Sequence, residues 1–371
     1  YVLRNAGSEY NITLLGPSNL AAMVLGGQTL CSWLGVMDLT PKSLASIDVD
    51  RLSRKLVALS MDPSCIYKGI YIDEMSFFNT ELFHFLDKVF EQVNVYLLSE
   101  GLPIIYLIWG GDFLQLETIE GNPIYTSPLI TQYNITITQD VYRQSEEVWK
   151  ECLNAIREGR SDDVKDYFRD PYVQRTQLTN TLLKTSALGP KGVHIVGKQE
   201  DVYLYSSASC NELARENKAP RYAYWNGYTK ARKYRYLHLT KGIRVKAGKN
   251  DHRNQIVKGL FGTVQECSKD IVEVLFDNGV EHTYKYSKES QLWLEPGGVC
   301  TVHSIQGLTI PKGSIALIDL LSSFTACTKG GLYVATSRTE NAFDTMLVVN
   351  KWSDIGSRIL TDKEVISKGL Y

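Results

Sequence analysis

The chain lacks any apolar run that could cross a bilayer: its longest, Pro103 to Trp109, falls far short of the roughly 20 residues a membrane helix needs. Its first residues also lack the basic region and apolar core of an export signal. None of the seven cysteines (Cys31, Cys65, Cys152, Cys210, Cys267, Cys300, Cys327) forms a CxxC pair, and the six histidines are dispersed. A zinc-binding framework or a disulfide scaffold is thereby excluded. The sequons at Asn11 and Asn134 matter only in a secreted chain, so the expected location is intracellular: cytoplasm, nucleus, or a host cell if the source is viral. No repeat and no low-complexity linker is present. With 44% hydrophobic and 22% charged residues, the 371-residue chain reads as a folded protein of about two domains.

A formal net charge of −1 conceals strong segregation. Residues 1–145 carry eight basic and fifteen acidic side chains, whereas residues 217–250 carry ten basic and no acidic ones. The ten are Lys218, Arg221, Lys230, Arg232, Lys233, Arg235, Lys241, Arg244, Lys246 and Lys249, interleaved at first with Tyr222, Tyr224, Trp225, Tyr228, Tyr234 and Tyr236. Cations attract phosphates and aromatic faces stack on bases, so this is the composition of a single-strand nucleic-acid surface. The same composition also suits a solvated basic face on a small β-domain.

The segments NITLLGPS, CIYKGIYIDE, PIIYLIWGGD and YNITITQ, separated by helix-length stretches, are predicted to be buried strands of a parallel α/β sheet. Open sheets of this kind bind ligands at the carboxyl ends of their strands. From Glu146 to Arg169 the apolar spacing predicts two helices broken at Gly159. Residues 239–294 alternate and turn at Asp277-Asn278-Gly279, a β-hairpin signature, before the α/β pattern resumes at SIALIDL and FDTMLVV.

Several candidate chemical groups sit at the predicted strand ends. Asp73 and Glu74 follow a strand, as do a Mg²⁺-holding aspartate and a water-polarising glutamate in nucleotide hydrolases. In WGGDFLQLE, Asp112 and Gln115 occupy a Gly-led loop where an amide can sense a terminal phosphate. Arg143 stands just before a helix and Arg338 near the end of another, and two such arginines are what charge neutralisation of a transferred phosphoryl group requires.

The ordered series GPSNLAAMVLGGQTLCSWLG, YIDEMS, GGDFLQL, YRQ with LNAIREG, KGIRVKAGKND to GLFGTV, TVHSIQGLTI and LYVATSRT resembles the motifs of superfamily 1 DNA helicases. The branch is the 5′-to-3′ one that includes the PIF-type helicases, RecD and phage Dda, and the match runs from about residue 11 to residue 349. The resemblance implies two RecA-like α/β domains, over residues 1–145 and 146–371. It further implies a strand-separating wedge at 34–65 and a small β-barrel inserted at about 239–294. The implied activity is ATP-dependent 5′-to-3′ translocation on single-stranded DNA, with unwinding at single/double-strand junctions by a monomer. ATP and Mg²⁺ are the implied cofactors. By similarity Asp73 binds Mg²⁺ through water, Glu74 activates water, and Gln115 contacts the γ-phosphate. Arg143 and Arg338 resemble the arginine fingers of the first and second domains. Ser18, Asn19, Thr29, His303, Ser304 and Thr309 fall in segments that line the DNA track, and Gln306 and Gly307 in the motif that couples this track to ATP. Arg232, Lys233, Tyr234 and Arg235, from the basic aromatic stretch, complete the candidate nucleic-acid residues.

The sequence departs from that pattern chiefly in its phosphate-binding loop. The single near match to Gly-x-x-x-x-Gly-Lys-Ser/Thr, Gly192 to Gly197-Lys198, has Gln199 in place of the hydroxyl residue, contains the strand-like VHIV and follows the acidic pair instead of preceding it. The expectation is a strand and turn there, with the true loop immediately upstream of residue 1, and a fragment that does not hydrolyse ATP alone. Cys31 replaces a histidine common in the family, and Glu117 follows LQL where prolines are usual. A module that binds nucleic acid without hydrolysis, and an RNA helicase of the same superfamily, stay open as alternatives.

Overall fold

A computed structural model describes residues 10–63, 65–138, 142–167, 188–228, 234–287, 290–321, 329–349, 355 and 359–370. The chain forms two units, Tyr1–Thr138 with Glu364–Tyr371, and Gln139–Lys363.

In unit 1, strands β1 (Tyr10–Gly16), β2 (Gln28–Thr29), β3 (Tyr67–Ile72) and β4 (Ile105–Trp109) form a parallel sheet in the order β2-β1-β3-β4. Alternation along the strands sends Leu15, Ile70, Ile72 and Ile105 into one core. The helix Thr80–Ser99 presents Leu82, Phe83, Leu86, Val89, Phe90, Val93 and Leu97 to the same core, a three-to-four-residue spacing that makes one apolar stripe. Asn79 starts this helix by accepting the Leu82 N–H at 3.0 Å. The segment 34–65 contains helices Pro41–Ala45 and Val49–Ser60, whose Leu44, Leu52 and Leu56 join this core together with Ile47. The final residues return to unit 1: Val365 is buried in its core, and the Lys368 ammonium donates to the Tyr125 carbonyl at 3.1 Å.

Three of the four predicted strands of the first domain are β1, β3 and β4. The fourth, YNITITQ, forms no strand across residues 133–138, and Gln139 lies outside the described residues. Its isoleucines are half-exposed (Ile135 50%, Ile137 45%), so no ladder partner and no core rewards extension there.

Unit 2 begins with helices Glu147–Glu158 and Ser161–Tyr167, separated as predicted at Gly159, whose φ of 79° ends the first helix in a left-handed cap. Its strands are β5 (Val193–Val196), β6 (Tyr222–Tyr228), β7 (Tyr234–Leu239), β8 (Arg244–Ala247), β9 (Phe261–Cys267), β10 (Ile271–Phe276), β11 (Glu281–Lys285), β12 (Leu294–Pro296), β13 (Val299–Thr301), β14 (Ala316–Asp319) and β15 (Thr345–Val348). A parallel sheet runs β13-β5-β14-β15. The VHIV of the near-match loop is β5, and Lys198 opens the helix Gln199–Glu216, so that segment is a central strand and a turn.

The insertion expected as a β-barrel is a five-stranded antiparallel sheet in the order β11-β10-β9-β8-β12, with no pairing among the described residues between its edge strands β11 and β12. Beside it, β6 and β7 form an antiparallel hairpin. Parallel α/β sheets in both units give the mixed α/β architecture of two RecA-like domains.

Candidate functional site

In unit 1 the sheet gathers the acidic pair and the Gly-led loop at the carboxyl end of β3 and β4. The Asp73 N–H donates to the Leu15 carbonyl at 2.9 Å, and the Met75 N–H donates to the Gly110 carbonyl at 2.9 Å, so the turns after β3 and β4 lie side by side. Gly110 has no room for a side chain, because a Cβ would sit 2.0 Å from the Tyr71 hydroxyl. That hydroxyl donates to Asp73 Oδ1 at 3.0 Å, a partner that the sequence signals only as the residue two before Asp73 on the same strand face.

Burial pushes the Asp73 carboxyl above its ordinary pKa, opposed by hydrogen bonds from Tyr71 and the Glu74 backbone. Glu74 adopts φ 53° and ψ 51°, the left-handed region, and caps a short 3₁₀ turn at Met75–Phe77. In the neighbouring loop the Gln115 N–H donates to the Asp112 carbonyl at 3.2 Å, and Asp112 Oδ1 accepts the Leu114 N–H at 3.0 Å. No group of three or more His, Cys, Asp or Glu side chains suited to a metal occurs among the described residues. Asp73 instead offers one hard oxygen donor, which suits Mg²⁺, an ion that usually keeps several waters and takes only one or two protein carboxylates alongside phosphate oxygens.

Ser18 and Thr29 are helix N-caps. The Ser18 hydroxyl accepts the Ala21 N–H at 3.2 Å, Thr29 accepts the Ser32 N–H at 3.1 Å, and Asn19 is the first residue of the helix that Ser18 caps. Their helices start directly after β1 and β2, at the same carboxyl edge as Asp73.

In unit 2 both arginines converge on Ser337. Arg143 donates from Nη1 to the Ser337 carbonyl at 3.0 Å and from Nε to the Thr309 hydroxyl at 3.1 Å. Arg338, only 2% exposed, donates from Nη2 to Ser337 Oγ at 2.7 Å, from Nη1 to the Leu308 carbonyl at 3.3 Å and from Nε to the Val334 carbonyl at 2.8 Å. A closed ring results, running from Leu308-Thr309 through Arg143 to Ser337-Arg338 and back. Arg143 therefore groups with unit 2, because the chain divides between Thr138 and Gln139, several residues before the boundary read from the sequence. Gln144, which the sequence reading passed over, is buried and donates from Nε2 to the carbonyls of Ser337 at 3.1 Å and Thr339 at 2.9 Å. Its only sequence signal was its place beside Arg143.

The segment leading into the ring is the short helix Val302–Ile305 after β13. Ser304 donates to the Thr301 carbonyl at 2.9 Å, and burial holds the His303 imidazole below its ordinary pKa, so it is neutral at pH 7. Gln306 is buried, Gly307 turns at φ 82°, and Thr309 is exposed.

The basic aromatic stretch divides. Arg232 and Lys233 lie outside the described residues, as does the Tyr234 side chain. Arg235 stacks its guanidinium 4.4 Å from the Tyr203 ring centroid and donates to the Asn226 carbonyl at 3.3 Å. Arg244 is buried and forms a two-pronged pair with Asp277 at 2.8 Å on each prong, and Lys241 pairs with Glu266 at 3.3 Å. Part of the charge excess is thus neutralised by carboxylates that the sequence places beyond residue 250.

No protein-family model matches the chain, and no curated protein sequence does. Solved structures do. A structure of two coordinating Pif1 helicases at forked double-stranded DNA superposes with a TM-score of 0.68 at 20% identity, covering 100% of this chain and 88% of that one. Pif1 helicase from Bacteroides with ADP-AlF3 and single-stranded DNA gives 0.67 at 19%, covering 100% and 88%. Pif1 helicase from Candida albicans gives 0.63 at 19%, covering 97% and 89%. Among the described residues no helix is long and apolar enough to cross a membrane. The chain has the fold of the Pif1 helicases over its whole length.

Proposed function

We propose that the chain is the motor core of a helicase that moves 5′ to 3′ along single-stranded DNA at the expense of ATP and opens the duplex at single/double-strand junctions. The observation that carries this reading is the hydrogen-bonded ring in unit 2. It joins a candidate DNA-contacting residue, Thr309, to both arginines suited to a transferred phosphoryl group. A coupled motor needs such a link, since strand contact and phosphate contact must bias one structural element. Likeness to Pif1 structures that contain single-stranded DNA and ADP-AlF3 supports the same reading.

In this reading Asp73 would hold Mg²⁺, which would supply charge neutralisation to the nucleotide phosphates. Glu74 orients and deprotonates the attacking water, and Gln115 contacts the terminal phosphate. Arg143 and Arg338 exchange some of their present carbonyl and hydroxyl partners for phosphate oxygens. Ser18, Asn19, Thr29, His303, Ser304 and Thr309 track the DNA backbone, and Gln306 and Gly307 transmit strand contact to the nucleotide.

The test is ATP turnover with and without single-stranded DNA, in a protein that joins these residues to a phosphate-binding loop. Arg143→Ala and Arg338→Ala are each expected to lower turnover by about 10³-fold, the lower end for an arginine finger, with DNA affinity largely kept. Near-parental turnover in either variant would assign that arginine to structure alone.

A further inference from the structure

The hairpin β6–β7 has two faces of different character. In its register Tyr222 faces Leu239 and Tyr224 faces Leu237, and these four side chains enter the core of the antiparallel sheet, where Tyr224 meets Tyr286 edge-on at 5.0 Å. Of the four aromatic side chains described in this run, Tyr222 and Tyr224 therefore belong to the core. The alternate positions pair Ala223 with His238 and Trp225 with Tyr236 on the opposite face. There Tyr236 is half-exposed, Ala223 is exposed, and Trp225 and His238 are partly exposed. The Trp225 ring is fixed by its Nε1–H, which donates to the Gly227 carbonyl at 3.0 Å.

The cation on this side has a neutral partner among the described residues. Arg221 opens β6 with a neutral partner, the Asn211 side-chain oxygen, and burial together with the Arg221 charge keeps His238 neutral. By the same alternation Arg235 lies on the other face, where its partners are the Asn226 carbonyl and the Tyr203 ring. No carboxylate occurs anywhere in residues 217–250. A tryptophan held by a hydrogen bond and a half-open tyrosine at paired positions, with the exposed Arg221 on the same face of the hairpin, match one kind of partner: a polyanion that carries flat rings.

We propose that Trp225 and Tyr236 form a base-stacking platform on the outer face of the β6–β7 hairpin, where single-stranded nucleic acid lays one or two bases on the ring pair while Arg221 attracts its phosphates. This rests on the single-strand reading above and adds a contact surface outside the segments that carry the helicase-like motifs. Arg235 makes no phosphate contact there, because its guanidinium is held against Tyr203 on the other face.

The experiment is a salt titration of the 371-residue chain with labelled oligo(dT), read by anisotropy and by tryptophan fluorescence, with circular dichroism to verify folding. Tyr236→Ala alters a half-exposed side chain and is expected to weaken binding about tenfold at every salt concentration, with the slope of log K against log salt unchanged. Arg221→Ala is expected to flatten that slope by about 0.7, one phosphate contact on a single strand. Quenching of tryptophan emission by oligo(dT) is expected to shrink in Trp225→Phe, which keeps a ring and the fold. Folded Tyr236→Ala protein with parental affinity, or undiminished quenching in Trp225→Phe, overturns the platform and leaves the single-strand reading standing. A parental chain without affinity for oligo(dT) overturns both.

Discussion

Glu74 occupies a left-handed backbone conformation that costs a non-glycine residue about 1–2 kcal/mol, and the carboxyl before it is buried enough to resist ionisation. Two unfavourable features in adjacent residues at a strand end are what a site under functional demand accumulates. Glu74→Gly is accordingly expected to raise the stability of this chain by up to about 1 kcal/mol, read by chemical denaturation, and to abolish ATP turnover in a protein that joins it to a phosphate-binding loop, read by phosphate release. Asp73 makes a parallel case with a pH signature. Its folded-state pKa is raised, so the folded state pays for the ionised form once the pH exceeds the folded pKa, and not below the unfolded value near 3.9. Asp73→Asn keeps an oxygen acceptor for the Tyr71 hydroxyl and is expected to melt higher than the parent at pH 7, with the gap closing as the pH falls toward about 4. A gap that widens on acidification would mean that Asp73 is stabilised as an anion in the fold.

At the scale of elements, Ser18 and Thr29 combine two jobs, because each candidate DNA-contacting hydroxyl also caps a helix. Alanine at either site removes a cap and costs about 1 kcal/mol, which would mimic a loss of DNA binding through partial unfolding. Ser18→Asp separates the two jobs. The carboxylate caps as well as the hydroxyl, so thermal stability is expected to match the parent while repulsion of the phosphates weakens oligonucleotide binding. Unchanged affinity in a folded Ser18→Asp protein would remove Ser18 from the DNA track.

Legibility also differed by element. Strands β1, β3 and β4 were readable because continuous Ile, Leu and Tyr runs ended in turn residues, and the helix break was readable from Gly159. YNITITQ carried the same residue types yet formed no strand over 133–138, since β-propensity acts only where a ladder and a core exist. Asp73, Glu74 and the Gly110-Gly111 loop were visible at their strand ends. The ring through Ser337 was not: it closes main-chain carbonyls and side chains more than 160 residues apart, and no local pattern encodes such a closure. The partition of the tyrosines between core and surface was equally hidden, because alternation is known only once the register with β7 is known.

For the whole molecule, the account requires two α/β units that each carry part of the chemistry: the acidic pair and its loop in unit 1, and the arginine ring with the His303–Thr309 segment in unit 2. Such a division is useful to a motor and of little use to a passive binding module, which has no need of Glu74 in a strained conformation. The most direct measurement is strand separation of short duplexes with either a 5′ or a 3′ single-stranded tail. It uses a protein that joins this chain to a phosphate-binding loop, supplied with ATP and Mg²⁺. The account predicts opening of the 5′-tailed duplex alone, and loss of that opening in Glu74→Gln with tail binding retained. Opening of the 3′-tailed duplex, or undiminished opening by Glu74→Gln, would contradict it.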